Sequence, residues 1–190
     1  SAHAKLQVVT STPDLAALAK EVAGDDAEIS CLSDWRTDPH FVDPRPNLML
    51  PLNRADLLIR NGMELEVGWL PPLLVGSRNP RIQPGQPGHL DASTVVHKLD
   101  RPSGKVDRAK GDLHPQGNPH YYMSPIEMAR VALAIGERMG RILPERADAL
   151  KTRADALATE LREFAESEAK RFASLTAKQR QIVEYHASLL

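Results

Sequence analysis

Seven histidines stand at positions 3, 40, 89, 97, 114, 120 and 186, and three of them share a kind of setting. His40 lies in DPHF, just past a β-rich run; His120 lies in GNPHYYMSP, just before a helix start; His186 follows the strand-like QIVEY. A neutral imidazole offers one borderline-soft nitrogen lone pair, and three of them suit Zn²⁺ or a similar divalent ion. These three lie much farther apart than the ligands of a local zinc finger, so they meet only if a fold gathers the ends of separate elements. The residue types leave three readings open. One is a metal-binding protein. A second is a zinc hydrolase or hydratase, which would need a Glu or His general base beside a bound water; no H-E-x-x-H pairing is present. The third is a helical interaction module whose loop histidines are merely solvated.

The elements around His40 predict such a gathering. KLQVVTS (5–11) reads as a strand and STPDLAALAKEVAG (11–24) as a helix, with Ser11 or Thr12 as cap, Pro13 in its first turn and Gly24 at its end. AEISCLS (27–33) is a second strand, followed at once by TDPHFVDPRP, whose prolines exclude helix and make a stiff, irregular loop. A helical turn over 48–53 precedes a third strand, ADLLIRNG (55–62). Pro71-Pro72 confine any helix in VGWLPPLLVG to a start at the prolines, and a short strand is expected near LDASTVV (90–96). This is the βαβ rhythm of an α/β parallel sheet with helices on both faces, in which ligands collect beyond the carboxyl ends of the strands. SPIEMARVALAIGERMGRIL (124–143) opens with Ser124 as cap, Pro125 at the first helical position and Glu127 completing a capping box. After Pro144, an apolar stripe of Leu150, Ala154, Leu157, Leu161, Phe164 and Phe172 predicts one helix of roughly 28 residues, about 42 Å long. Glu168 interrupts its heptad, which favours packing on the protein's own lobes over a coiled-coil dimer. RQIVEYH (180–186) reads as one more strand.

Composition narrows the partners. Lys+Arg 24 against Asp+Glu 25 gives a net charge of −1, so no basic footprint argues for nucleic acid. No apolar run reaches the ~18 residues of a membrane span. A single cysteine, Cys31, cannot form an internal disulfide, and within its apolar strand it is expected to be a small buried residue. Ala2-His3-Ala4, just ahead of the first strand, reads like the end of a cleaved signal peptide and favours export.

Longer motifs carry a resemblance. DPHFVDPRPNLMLPLNRADLLIRNGMELEVGW and GDLHPQGNPHYYMSP resemble the first two ligand motifs of the metal-specific solute-binding proteins of ABC transporters, and VEYHASL resembles the third. The match runs through nearly the whole chain in the family's order. It implies two α/β lobes joined by a long spine helix, with a metal ion between them and no catalysis. Carried over by position, His40, His120 and His186 would be the ligands. In that family a histidine at the third place goes with zinc and a glutamate with manganese, so Zn²⁺ is expected ahead of Mn²⁺ or iron. The family's fourth ligand, usually an Asp of the second lobe, has no counterpart within residues 1–190. The expected organisation is therefore a first lobe over 5–143, the spine over 144–175 and the opening of a second lobe over 176–190. Such a chain is expected to hold metal weakly.

The function implied is an extracytoplasmic, periplasmic zinc carrier that delivers to an ABC permease and is monomeric at full length. His114 is read as a solvated loop residue or part of an entry path, His89 and His97 as surface residues flanking a strand, and His3 as terminal. Asp38 and Asp43 either orient His40 or simply make turns.

Overall fold

The computed structural model describes residues 5–99 and 115–181. Four short strands, β1 (Leu6–Thr10), β2 (Ala27–Cys31), β3 (Leu57–Arg60) and β4 (His89–Asp91), form one sheet in the order β2-β1-β3-β4. Every pairing is parallel: Thr10 lies opposite Cys31, Thr10 opposite Ile59, and Arg60 opposite Asp91. All four strands therefore end on one edge, and that edge carries the site.

Side chains alternate across the sheet as the two-residue period of a strand requires. Leu6, Val8, Leu57 and Ile59 point into a core shared with α1 (Pro13–Ala23), α4 (Pro125–Ile142) and α5 (Ala147–Ala173). Val9 and Leu58 point into a second core with α2 (Met49–Arg54) and α3 (Leu70–Ser77). Helices thus cover both faces, as the alternating pattern predicts. α1 begins at Pro13, and α3 begins at Leu70 with Pro71-Pro72 in its first turn. Ser124 caps α4 by accepting from the Glu127 N–H at 3.4 Å. The capping box is only half made. The Glu127 carboxylate turns instead to the His97 N–H (2.9 Å) and Nδ1 (3.0 Å), ending 3.4 Å from Arg130 Nε.

Several expectations shift. β3 starts at Leu57, because Ala55 terminates α2 and Asp56 makes the junction, its N–H donating to Gln7 O at 2.7 Å and its carboxylate accepting from the Gln7 N–H at 3.0 Å. The strand expected over 90–96 shortens to His89–Asp91. There the Asp91 side chain accepts from the Ser93 N–H and turns the chain into a 3₁₀ helix over Ala92–Thr94. His89 is buried rather than superficial, with Nδ1 2.8 Å from the Ile82 carbonyl, and burial holds its imidazole below its usual range. Cys31 is exposed, since it ends the edge strand β2 where no further strand lies alongside.

After α4, Pro144–Arg146 form a 3₁₀ turn and α5 doubles back against α4. A Cβ on Gly136 would come within 2.5 Å of Ala154 Cβ, so the missing side chain is what lets α4 and α5 approach. Arg153 docks α5 onto the end of α1: its guanidinium donates to Val22 O (2.6 Å) and Ala23 O (2.9 Å) and meets Asp26 at 2.5 Å. Of the predicted stripe, Leu150 and Ala154 are buried, joined by Ala158, and Leu157 and Leu161 pack partly. Phe164 and Phe172 remain 55% and 47% exposed. The strand expected over 180–186, and His186 with it, falls outside the described residues apart from its first two positions.

Candidate metal site

The sheet's carboxyl edge is held by one buried carboxylate. Glu66 Oε1 accepts from Ser11 Oγ at the end of β1 (2.6 Å) and from the Asn61 N–H at the end of β3 (2.6 Å), and Oε2 accepts from the Gly62 N–H (3.1 Å). The chain returns to place Glu66 there through three successive positive φ values at Gly62, Met63 and Glu64. Gly62 must lack a side chain twice over: its φ is +85°, and a Cβ would lie 2.1 Å from Asp91 Oδ1. Left-handed backbone at Met63 and Glu64 is unfavourable for side-chain-bearing residues and is sustained only where surrounding contacts fix it.

From this edge rise the two loops that carry the predicted histidines, and they are built alike. In Asp38-Pro39-His40, Asp38 Oδ1 accepts from the His40 backbone N–H (2.9 Å) and lies 2.8 Å from His40 Nδ1. In Asn118-Pro119-His120, Asn118 Oδ1 accepts from the His120 N–H (2.9 Å) and lies 2.7 Å from His120 Nδ1. An amide oxygen can only accept, so His120 Nδ1 carries the proton, and the same arrangement at Asp38 assigns the same tautomer to His40. In that tautomer the ring lone pair is on Nε2. Both rings are therefore presented as Nε2 donors for a cation, with the second nitrogen backed by an oxygen as in most protein metal sites. The backing groups differ, a carboxylate behind His40 and a neutral amide behind His120.

The two rings lie with centroids 5.5 Å apart, their planes tilted by 48°. His120 is 5% exposed and the His40 side chain 11%, and Tyr122 stands edge-on to His120 at 5.7 Å. So the fold brings together two of the three predicted ligands, although they are far apart in sequence. The third, His186, lies outside the described residues, as do His114 and His3. Among the described residues, no group of three or more His, Cys, Asp or Glu is placed to hold a metal ion. Asp38 does orient His40; Asp43 does not, and pairs with Arg45 at 2.9 Å. His97 and His89 are engaged elsewhere, by Glu127 and Ile82.

Asn61, Glu66, Trp69 and Asn118 were not assigned roles by the sequence. The signal for Asn118 was present, as a repeated Asx-Pro-His triplet; for the other three only NG and E-x-x-W hint at anything.

A family profile described as zinc-uptake complex component A, periplasmic (ZnuA), matches residues 8–189. The chain belongs to the ZnuA family. The family comprises metal-binding components of ABC importers and not enzymes, so the hydrolase alternative has no support. Among relatives, the zinc-binding lipoprotein AdcA of Streptococcus pneumoniae is 23% identical over 190 residues, covering 98% of this chain and 36% of AdcA. The manganese transporter lipoprotein PsaA of Streptococcus pneumoniae is 38% identical over 68 residues, which is 36% of this chain and 22% of PsaA. Among solved structures, a zinc-bound ZnuA deletion mutant superposes with a TM-score of 0.80 at 22% identity, covering 97% of this chain and 64% of that one. The periplasmic zinc-binding protein TroA of Treponema pallidum gives 0.73 at 21% identity over 93% and 58%. These superpositions establish the α/β lobe with its long helix. The chain spans about a third of AdcA and less than two thirds of the ZnuA and TroA structures.

Proposed function

We propose that this ZnuA-family chain is an extracytoplasmic zinc-binding component that captures Zn²⁺ and passes it to an ABC permease, with His40, His120 and His186 as ligands. The observation that carries the reading is the matched pair of imidazoles 5.5 Å apart, each held as an Nε2 donor by an oxygen two residues before it. Imidazole nitrogen favours zinc over the oxygen-seeking manganese ion, although relatives named for either metal match the chain. Residues 5–143 form the metal-binding lobe in this reading, 144–175 the spine and 176–190 the opening of a second lobe. Export fits a binding role outside the membrane; no helix among the described residues is long and apolar enough to cross one.

The test is metal analysis of the purified full chain, wild type against His120→Ala and His186→Ala. The expected outcome is weak uptake by the wild-type chain, approaching one zinc per chain only at saturating zinc, and loss of most of that uptake in each variant. Wild-type protein that takes up no zinc, or a His120→Ala protein that retains it in full, sinks the proposal. Stoichiometric manganese in place of zinc overturns the metal while keeping the site.

A further inference from the structure

We propose that Asn61 and Trp69 are positioning residues that set the separation of the two imidazoles; the inference rests on the metal reading above. Each donates to the carbonyl of the proline immediately before a histidine. Asn61 Nδ2 donates to Pro119 O at 3.0 Å, and Trp69 Nε1 donates to Pro39 O at 2.8 Å. Each Asx-Pro-His triplet is thus fixed at two points. The Asx oxygen grips the histidine's N–H and Nδ1, while the prolyl carbonyl is pinned from the other side. Proline fixes its own φ, so directing its carbonyl directs the peptide plane from which the histidine departs.

Both donors come from one short segment, and that segment is held by Glu66 through the Asn61 and Gly62 N–H groups. The Asn61 carbonyl also accepts from Tyr121 Oη at 2.6 Å, next to His120. A change in this segment therefore moves both loops together and preserves the distance between the rings. The chemistry of Asn61 argues for the donor role. It is fully buried, and its Oδ1 has no hydrogen-bond partner among the described residues. An unpaired buried amide oxygen is unfavourable, and an apolar side chain of the same shape would avoid it, so the amide is retained for what Nδ2 does.

A purely structural role would tie metal affinity to stability, and the experiment separates the two. Zinc affinity of the full chain is measured by competition with a chromophoric chelator, and metal-free melting is measured alongside. The proteins are wild type, Asn61→Ala, Trp69→Phe, His120→Ala and Met139→Ala. Met139 is fully buried at the end of α4 remote from His120, so its truncation destabilises without touching either loop. Asn61→Ala and Trp69→Phe are expected to weaken zinc binding about tenfold or more, the usual consequence of disturbing groups that orient metal ligands. Met139→Ala is expected to bind within about twofold of wild type however far its melting falls. The proposal is overturned if Asn61→Ala and Trp69→Phe bind within about twofold of wild type while His120→Ala loses the metal. It is equally overturned if Met139→Ala loses affinity in step with them at a similar loss of stability. A wild-type chain that binds no zinc instead removes the metal reading on which this one stands.

Discussion

At the scale of single residues, the candidate site is shaped by side chains that are not among its proposed ligands. Asp38 and Asn118 choose the tautomer, and Glu66 secures the strand ends beneath both loops. Glu66 is buried, and desolvation raises its carboxyl above the ordinary 4.5 despite the donors from Ser11, Asn61 and Gly62 that oppose the shift. The unfolded carboxyl therefore releases its proton at a lower pH than the folded one. Between the two values the native state holds a proton that the unfolded state has lost. Stability from this group is full below pH 4.5 and is lost as pH rises through the folded value. Glu66→Gln removes that titration, so wild-type stability minus variant stability should shrink from pH 4.5 to pH 8 in urea-unfolding midpoints. A gap that widens with pH would show that the three donors outweigh burial. The sequence pointed to His40 and His120 through their setting in proline-bearing loops beside recognisable elements, and assigned them as ligands only through the family resemblance; the fold does bring the two rings together. Asp38 could be weighed as an orienting group too, but Asn61 and Trp69 were not legible. Their partners are about 30 to 60 positions away, and a hydrogen bond from Trp69 to a backbone carbonyl leaves no local pattern.

At the scale of elements, hydrophobic period and capping residues foretold most of the fold. Helices on both faces of the sheet and the Ser124 cap both appear as expected, with Leu57 and Ile59 in one core and Leu58 in the other. The departures come where a side chain competes with backbone pairing. Asp91 ends β4 early by capping a 3₁₀ turn, and Glu127 leaves its capping box for His97. The contact between α4 and α5 was not legible at all, because it depends on a glycine mid-helix that weakens α4 on its own. Gly136→Ala should be destabilising even though alanine is the better helix former by about 1 kcal/mol, since the new methyl would lie 2.5 Å from Ala154 Cβ. Overpacking of this kind typically costs about 1–3 kcal/mol, readable as a lowered melting midpoint with unchanged helical circular dichroism. A melting point equal to or above wild type would show that the two helices part freely.

At the scale of the whole molecule, the described residues form one two-cored lobe from which α5 projects. Its last fully buried residue is Ala158, and the helix runs on to Ala173 with Phe164 and Phe172 exposed. A helical stretch of that length is marginal without packing partners. Hydrogen exchange on the 190-residue chain should show strong protection from Leu150 to Ala158, falling by roughly a hundredfold or more beyond it. Uniform protection to Ala173 would mean that this face is covered in solution. The sequence showed the stripe but not that its two halves differ, because periodicity records which side is apolar and not what lies opposite. The projection has a mechanical consequence. About 19 residues past Ala154 make a lever arm of roughly 28 Å, and a tilt of about 4° at that pivot swings its tip by about 2 Å. Metal–ligand distances tolerate only about 0.2 Å. If the third ligand follows this helix, its aim is calibrated by a pivot where Gly136 meets Ala154, and an error of one methyl group there would be magnified at the ion.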